Sequence, residues 1–188
     1  MVYNTNIPLS AVPGFNNVPT YPSLQEFSIG HQTDFSATFG KEGLLKAIRQ
    51  NGKTNPVRLE FVKYGTRGAG QDKSGAYLFL PDKQEPDPIL VGNNRIVHVI
   101  KGPLLARVFT DLPYVKHIVT LYNSTGSDGL GIHITNQVDI TETQNFEMAM
   151  RINTDINSQD VFYTDLNGLN VSLKCNNVFI KIIRLQFK

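Results

Sequence analysis

Val57-Arg58-Leu59-Glu60-Phe61 alternates apolar and charged side chains without a break. On a β-strand successive side chains point to opposite faces, so this period puts Val57, Leu59 and Phe61 on one side and both charges on the other. The stretch predicts a half-buried strand. Outward from it, short apolar runs recur at 76–80, 96–100, 104–109, 115–122, 132–140, 148–152, 161–163 and 169–173, rich in Val, Ile, Phe and Tyr. Between them lie turn residues: Gly92-Asn93-Asn94, Gly102-Pro103, the Ser/Gly-rich stretch 124–131, Asn157-Ser158 and Asn167-Gly168. Short strands at this spacing predict an all-β fold, a sandwich or a barrel. Asn167-Gly168 is the sharpest turn signal, because a type I′ hairpin needs φ > 0 at both central residues. Residues 43–50 are ambiguous. Leu44, Leu45 and Ile48 would share a helix face, but the segment is short and bracketed by Gly40, Gly43 and Gly52, which favours a strand.

The chain has 188 residues, enough for one domain with a core. Its 18 Lys+Arg against 16 Asp+Glu give a net charge of +2. That lacks the basic excess of a nucleic-acid protein held by phosphate contacts. At 40% hydrophobic and 18% charged residues it is too apolar for a disordered chain. No run approaches the ~18 apolar residues of a membrane-spanning helix, and residues 1–5 do not read as a signal peptide. Cys175 stands alone, so no intrachain disulfide is possible. Residues 1 to about 25 carry Pro8, Pro13, Pro19 and Pro22 and read as an extended edge or lead-in. The stretch 174–188 has no Gly, Pro, Asp or Glu and differs from everything before it.

Chemistry-bearing residues are sparse. His31, His98, His117 and His133 are scattered, with no His-x-His or His-x-x-x-His pair of the kind a metal site favours. Residues 65–74 are glycine-rich, but Gln71 and Asp72 separate Gly70 from Lys73 and a strand follows, so they read as a loop between strands and not as a phosphate loop. Asp139, Asp160 and Asp165 fall at strand ends. A retaining glycosidase would need two carboxyl groups about 5–5.5 Å apart, and without that convergence these three are turn formers. Trp is absent, but Tyr64, Tyr77, Tyr122 and Tyr163 pair an apolar ring with a hydroxyl and suit a sugar-facing role or the rim of a core. Asn123-Ser124-Thr125 and Asn170-Val171-Ser172 match the N-glycosylation pattern, which makes Asn123 and Asn170 candidate acceptors.

Several separate motifs, in order, go beyond composition. Lys63-Tyr64-Gly65 is followed by Ser74-Gly75-Ala76-Tyr77-Leu78-Phe79-Leu80-Pro81-Asp82. Then come Asn136-Gln137-Val138-Asp139-Ile140, Glu147-Met148-Ala149-Met150-Arg151 and Val161-Phe162-Tyr163-Thr164-Asp165-Leu166-Asn167-Gly168. Over residues 27–173 the chain resembles the C-terminal β region of glycoside hydrolase family 38, the α-mannosidases, and the Golgi α-mannosidase II branch in particular. The resemblance implies an antiparallel β-sandwich of the galactose-mutarotase-like supersandwich type, here truncated, with 43–50 as a strand. It implies a retaining, zinc-dependent exo-mannosidase that trims mannose-containing N-glycans in the Golgi lumen.

In that family the nucleophile, the acid and the zinc ligands come from an N-terminal domain that nothing here matches. The resemblance therefore implies no catalytic residue and no zinc in this chain, which would work with the missing catalytic domain and be inactive alone. The family's Arg-Gly-Leu-Gly segment is also missing. Tyr77 of Ser-Gly-Ala-Tyr carries over as a substrate-binding residue that reaches the catalytic pocket. By period-2 alternation Leu78 and Leu80 would enter the core and Tyr77 would face outward. The expected organisation is a lead-in over 1–26, the sandwich over 27–173 and a non-matching tail over 174–188, a partial product or partial gene model. The alternative is a free-standing carbohydrate-binding or scaffold β-sandwich.

Overall fold

The computed structural model describes residues 20–22, 25–32, 35–74, 78–89, 96–157, 159, 161–165 and 171–175. They form thirteen strands: β1 (Thr20–Pro22), β2 (Phe27–Gln32), β3 (Phe35–Phe39), β4 (Leu45–Gln50), β5 (Lys53–Gly65), β6 (Asp87–Pro88), β7 (Ile96–Lys101), β8 (Leu105–Leu112), β9 (Val115–Tyr122), β10 (His133–Val138), β11 (Phe146–Thr154), β12 (Val161–Asp165) and β13 (Val171–Cys175). All pairings are antiparallel. The five-stranded sheet has the order β1-β7-β8-β9-β10, and the six-stranded sheet runs β11-β5-β4-β3-β2 with β6 paired to β5. The hairpin β12-β13 stands as a separate two-stranded sheet. Among the described residues there is no α-helix, and no helix is long and apolar enough to cross a membrane.

The two larger sheets pack face to face around one apolar cluster. Phe35, Ala37 and Phe39 of β3 and Val57, Leu59 and Phe61 of β5 meet Ala106 and Val108 of β8 and Val115, Val119 and Leu121 of β9. Each set keeps a period of two, with His117 filling the inward position between Val115 and Val119, which is how alternation delivers one face of a strand to a sandwich core. Three contacts tie sheet to sheet. The Thr110 hydroxyl of β8 donates to the Gly43 carbonyl at 2.9 Å. Phe61 of β5 meets the His117 ring of β9 edge-on at 5.3 Å. Asn136 Nδ2 of β10 lies 3.3 Å from Met150 Sδ of β11.

Residues 45–50 are strand, not helix, and the turn that follows shows why. Asn51 and Gly52 have φ of 50° and 76°, as a type I′ hairpin turn requires, and they join Gln50 to its partner Lys53. Asn167-Gly168 lies outside the described residues, but the flanking strands pair as a hairpin, from Val161↔Cys175 to Asp165↔Val171. Pro22 sits on the edge strand β1, where its missing donor is tolerated.

One apolar run differs from expectation. Residues 78–80 are in no strand, and Leu78 is 63% exposed instead of entering the core. Phe79 turns in, meeting buried Tyr64 edge-on at 4.9 Å. The cause lies in β5. At Phe61 the strand switches the face it buries: Lys63 is exposed, while Val62 and Tyr64 are inaccessible on the side opposite the core, because the segment after it folds back over that side.

Candidate functional site

The segment between β5 and β6 carries Tyr77, and the sheet anchors it at its base. Thr66 bridges Pro81, Asp82 N–H donates to Gly65 O at 3.0 Å and Arg67 Nε donates to Pro81 O at 3.3 Å. At Gly65 an added Cβ would lie 2.6 Å from the Asp82 carboxylate, which would have to turn aside. Nearer the tip, Leu80 N–H donates to Ser74 Oγ at 2.7 Å. The ends of 74–80 are thus tied together and pinned to Tyr64 through Phe79. Gly75, Ala76 and Tyr77 themselves lie outside the described residues.

Further along the same face of the six-stranded sheet is a cluster that alternation alone would treat as a solvated surface. Glu60 accepts from Arg58 Nη2 and Arg151 Nη2, each at 2.9 Å, and from Asn153 Nδ2 at 3.2 Å. The register explains it, because Glu60 sits opposite Arg151 and Arg58 opposite Asn153. Where β4 and β5 part, a cleft of about 960 Å³ opens, lined by Lys46, Arg58, Glu60, Ile89, Leu112 and Asn153 among others. Three charge-assisted donors occupy the Glu60 carboxylate. Its oxygens are committed to contacts within the sheet.

The structure keeps the histidines apart. His31 lies on β2, His98 is half-buried on β7 and His133 is exposed on β10 beside Tyr122. Among the described residues no three His, Cys, Asp or Glu side chains converge as a metal site requires. Asp139 is a turn former, accepting from the Thr141 hydroxyl at 2.8 Å and the Thr141 N–H at 3.1 Å. Those two bonds hold its carboxyl below the usual carboxylate range. Asp160 lies outside the described residues, and Asp165 ends β12. Cys175 ends β13. Asn123 is exposed after β9, and Asn170 lies outside the described residues.

His117 was not legible as special. It is fully buried between the sheets, with Nδ1 at 2.7 Å from Asn136 Oδ1 and Nε2 without a partner. A neutral ring fits this: Nδ1–H donates to the amide oxygen and Nε2 is left as a bare acceptor. Burial pushes the imidazole pKa down from its ordinary value, and the Asn136 bond offsets this only in part. The unfolded chain then takes up a proton near pH ~6.5 while the folded chain resists it, so stability falls as pH drops below that value. Thermal melts from neutral to mildly acidic pH should show Tm falling on the acid side, with a slope of at most about 1.4 kcal/mol per pH unit from this residue. His117→Gln should flatten that slope. An equal slope in the variant would assign the acid sensitivity to other groups.

The sandwich, its strand order and the loop anchored on β5 define an all-β module whose identity comparison with known proteins establishes. Residues 34–174 match the glycosyl hydrolases family 38 C-terminal domain, and the chain belongs to that family. It is 42% identical over 134 residues to alpha-mannosidase 2x of Mus musculus, covering 70% of this chain and 12% of that protein. It is 40% identical over 135 residues to alpha-mannosidase 2 of Homo sapiens, covering 71% of this chain and 12% of the other. With alpha-mannosidase 2 of Drosophila melanogaster it shares 39% over 167 residues, 88% of this chain and 14% of the other. The chain thus spans about an eighth of the length of these relatives.

Proposed function

We propose that this chain is the non-catalytic β-sandwich portion of an α-mannosidase, a retaining hydrolase that trims mannose-containing N-glycans in the lumen of the Golgi. The observation that carries the reading is the family match over 34–174, together with relatives that are all named alpha-mannosidases. Within this reading residues 27–173 are the functional unit, and Tyr77 is its substrate contact. Its hydroxyl would donate a hydrogen bond to a sugar held mainly by the catalytic domain. The ties at Gly65, Ser74 and Phe79 support that role, because a single donor is useful only when its loop is held in place. Zinc, where bound by the catalytic domain, supplies Lewis-acid contact to sugar hydroxyls.

A chimera tests it. Residues 34–174 would replace the matching segment of the Drosophila melanogaster relative. The chimera should hydrolyse a mannoside reporter, and Tyr77→Phe in it should lower kcat/KM by roughly tenfold or more, the loss of one hydrogen bond to a reacting group. The chain alone, supplied with zinc, should show no turnover. Turnover by the chain alone would overturn the non-catalytic assignment. A folded but inactive chimera, with mannose oligosaccharides binding the isolated chain, would point to a free-standing carbohydrate-binding sandwich instead.

A further inference from the structure

Asn123 sits where β9 leaves the five-stranded sheet, held against the turn between β7 and β8. Its backbone N–H donates to Leu104 O at 2.8 Å, and its Nδ2 donates to Pro103 O at 2.8 Å. The residue is exposed, and so are large apolar side chains next to it: Leu104 at 76%, Leu130 at 49% and Tyr122 at 37%. Tyr122 precedes Asn123 on the strand and meets His133 edge-on at 4.9 Å. Leu130 ends the 3-10 turn Asp128–Leu130, whose Gly129 packs so closely on the Ser124 backbone that no Cβ would fit. That contact folds the turn back beside Asn123. Exposed apolar side chains thus flank an acceptor tripeptide, Asn123-Ser124-Thr125, along the chain and across the β8–β9 pairing.

We propose that Asn123 carries an N-linked glycan and that its first sugar rings lie over Leu104, Tyr122 and Leu130. The proposal rests on the secretory-pathway reading above. A pyranose ring has an apolar C–H face and a hydroxyl rim, and a tyrosine beside leucines offers the matching apolar ring and polar tip. In the transfer step Nδ2 attacks the anomeric carbon of a lipid-linked oligosaccharide pyrophosphate. The N–C bond forms, the C–O bond to pyrophosphate breaks, the lipid pyrophosphate leaves and one amide proton is lost. Nδ2 keeps its other hydrogen. When the sugar replaces the hydrogen that points away from Pro103 O, the bond to Pro103 O is kept and fixes where the glycan emerges.

The test has two expression arms. In one, the natural gene product is made in its own cells; in the other, this chain is secreted from insect cells behind an added leader. Peptide-N-glycosidase treatment in heavy-oxygen water, followed by mass spectrometry, should convert Asn123 to labelled aspartate in both arms. Asn123→Gln should abolish the label. Thr125→Ala should do the same while leaving the amide that holds Pro103 in place, which keeps the result readable if the glutamine variant misfolds. Enzymatic removal of the glycan should lower Tm by about 2–4 °C, and Leu104→Ser with Tyr122→Ser should erase that difference without reducing occupancy. Label in the leader arm alone would overturn the secretory reading and uphold the acceptor site. No label in either arm would overturn the site itself. Full occupancy with unchanged Tm would overturn the seating of the glycan on the patch.

Discussion

Gly43→Ala is expected to destabilise the chain by about 2–5 kcal/mol, seen as a Tm loss of roughly 4–20 °C. Two costs add at this position. Gly43 has φ of +74°, a region where an L side chain crowds its own backbone. An added Cβ would also lie 2.6 Å from Thr110 Oγ1 and 2.8 Å from Val97 Cγ2. Both neighbours belong to the opposite sheet, and the Thr110 hydroxyl is already committed to the Gly43 carbonyl. The methyl would therefore push the sheets apart where they are tied. Gly52→Ala separates the two costs, because Gly52 has a similar φ of +76° but nothing within 4 Å of an added Cβ. It should cost only about 1 kcal/mol. Thr110→Val removes the hydroxyl and keeps the shape, and should cost about 1 kcal/mol for the lost bond. Equal losses in Gly43→Ala and Gly52→Ala would show that the sheets yield at this contact.

Phe39→Ala should be of comparable size, about 3–5 kcal/mol. Phe39 is fully buried in the main cluster and stacks on Phe27 with ring centroids 5.3 Å apart and planes 8° from parallel. Truncation removes the transfer energy of the ring and leaves a cavity. Cavity cost depends on how far the walls can collapse, and here strand pairing on both sides resists movement: β3 is hydrogen-bonded to β2 and to β4. Chemical denaturation should show a lower midpoint with an unchanged slope. A loss under about 1 kcal/mol would mean that the core refills the space.

Much of the fold was readable because its signals are local. Residues 115–122 form β9 with the bounds that the apolar run predicts, and 96–100 and 161–163 fall inside β7 and β12. The ambiguity at 43–50 could have been resolved from the sequence as well. Asn51-Gly52 is the same hairpin signal that was recognised at Asn167-Gly168, and at Asn51-Gly52 it makes the preceding residues a strand. The error at 78–80 has another origin. An apolar run carries no mark of which layer will cover it, and here Phe79 covers the far face of β5 while Leu78 stays outside.

The candidate site divides along the same line. Tyr77 is proposed from motif resemblance, and Asn123 from an acceptor tripeptide that is contiguous in the chain. Glu60 with Arg58, Arg151 and Asn153 was not found, since its members are some ninety residues apart and meet only through the register of β5 and β11. His117 looked like any strand histidine until Asn136, Phe61 and the opposite sheet enclosed it. By itself, then, the sequence determined the all-β class, most strands, several turns and the family resemblance, because alternation, turn chemistry and motifs act over a few neighbouring residues. The tertiary structure alone decided which strands pair, where β5 switches the face it buries, where the two sheets are tied at Gly43 and Thr110, and which polar groups lose water. Those outcomes depend on contacts between distant segments, whose energies no local pattern encodes.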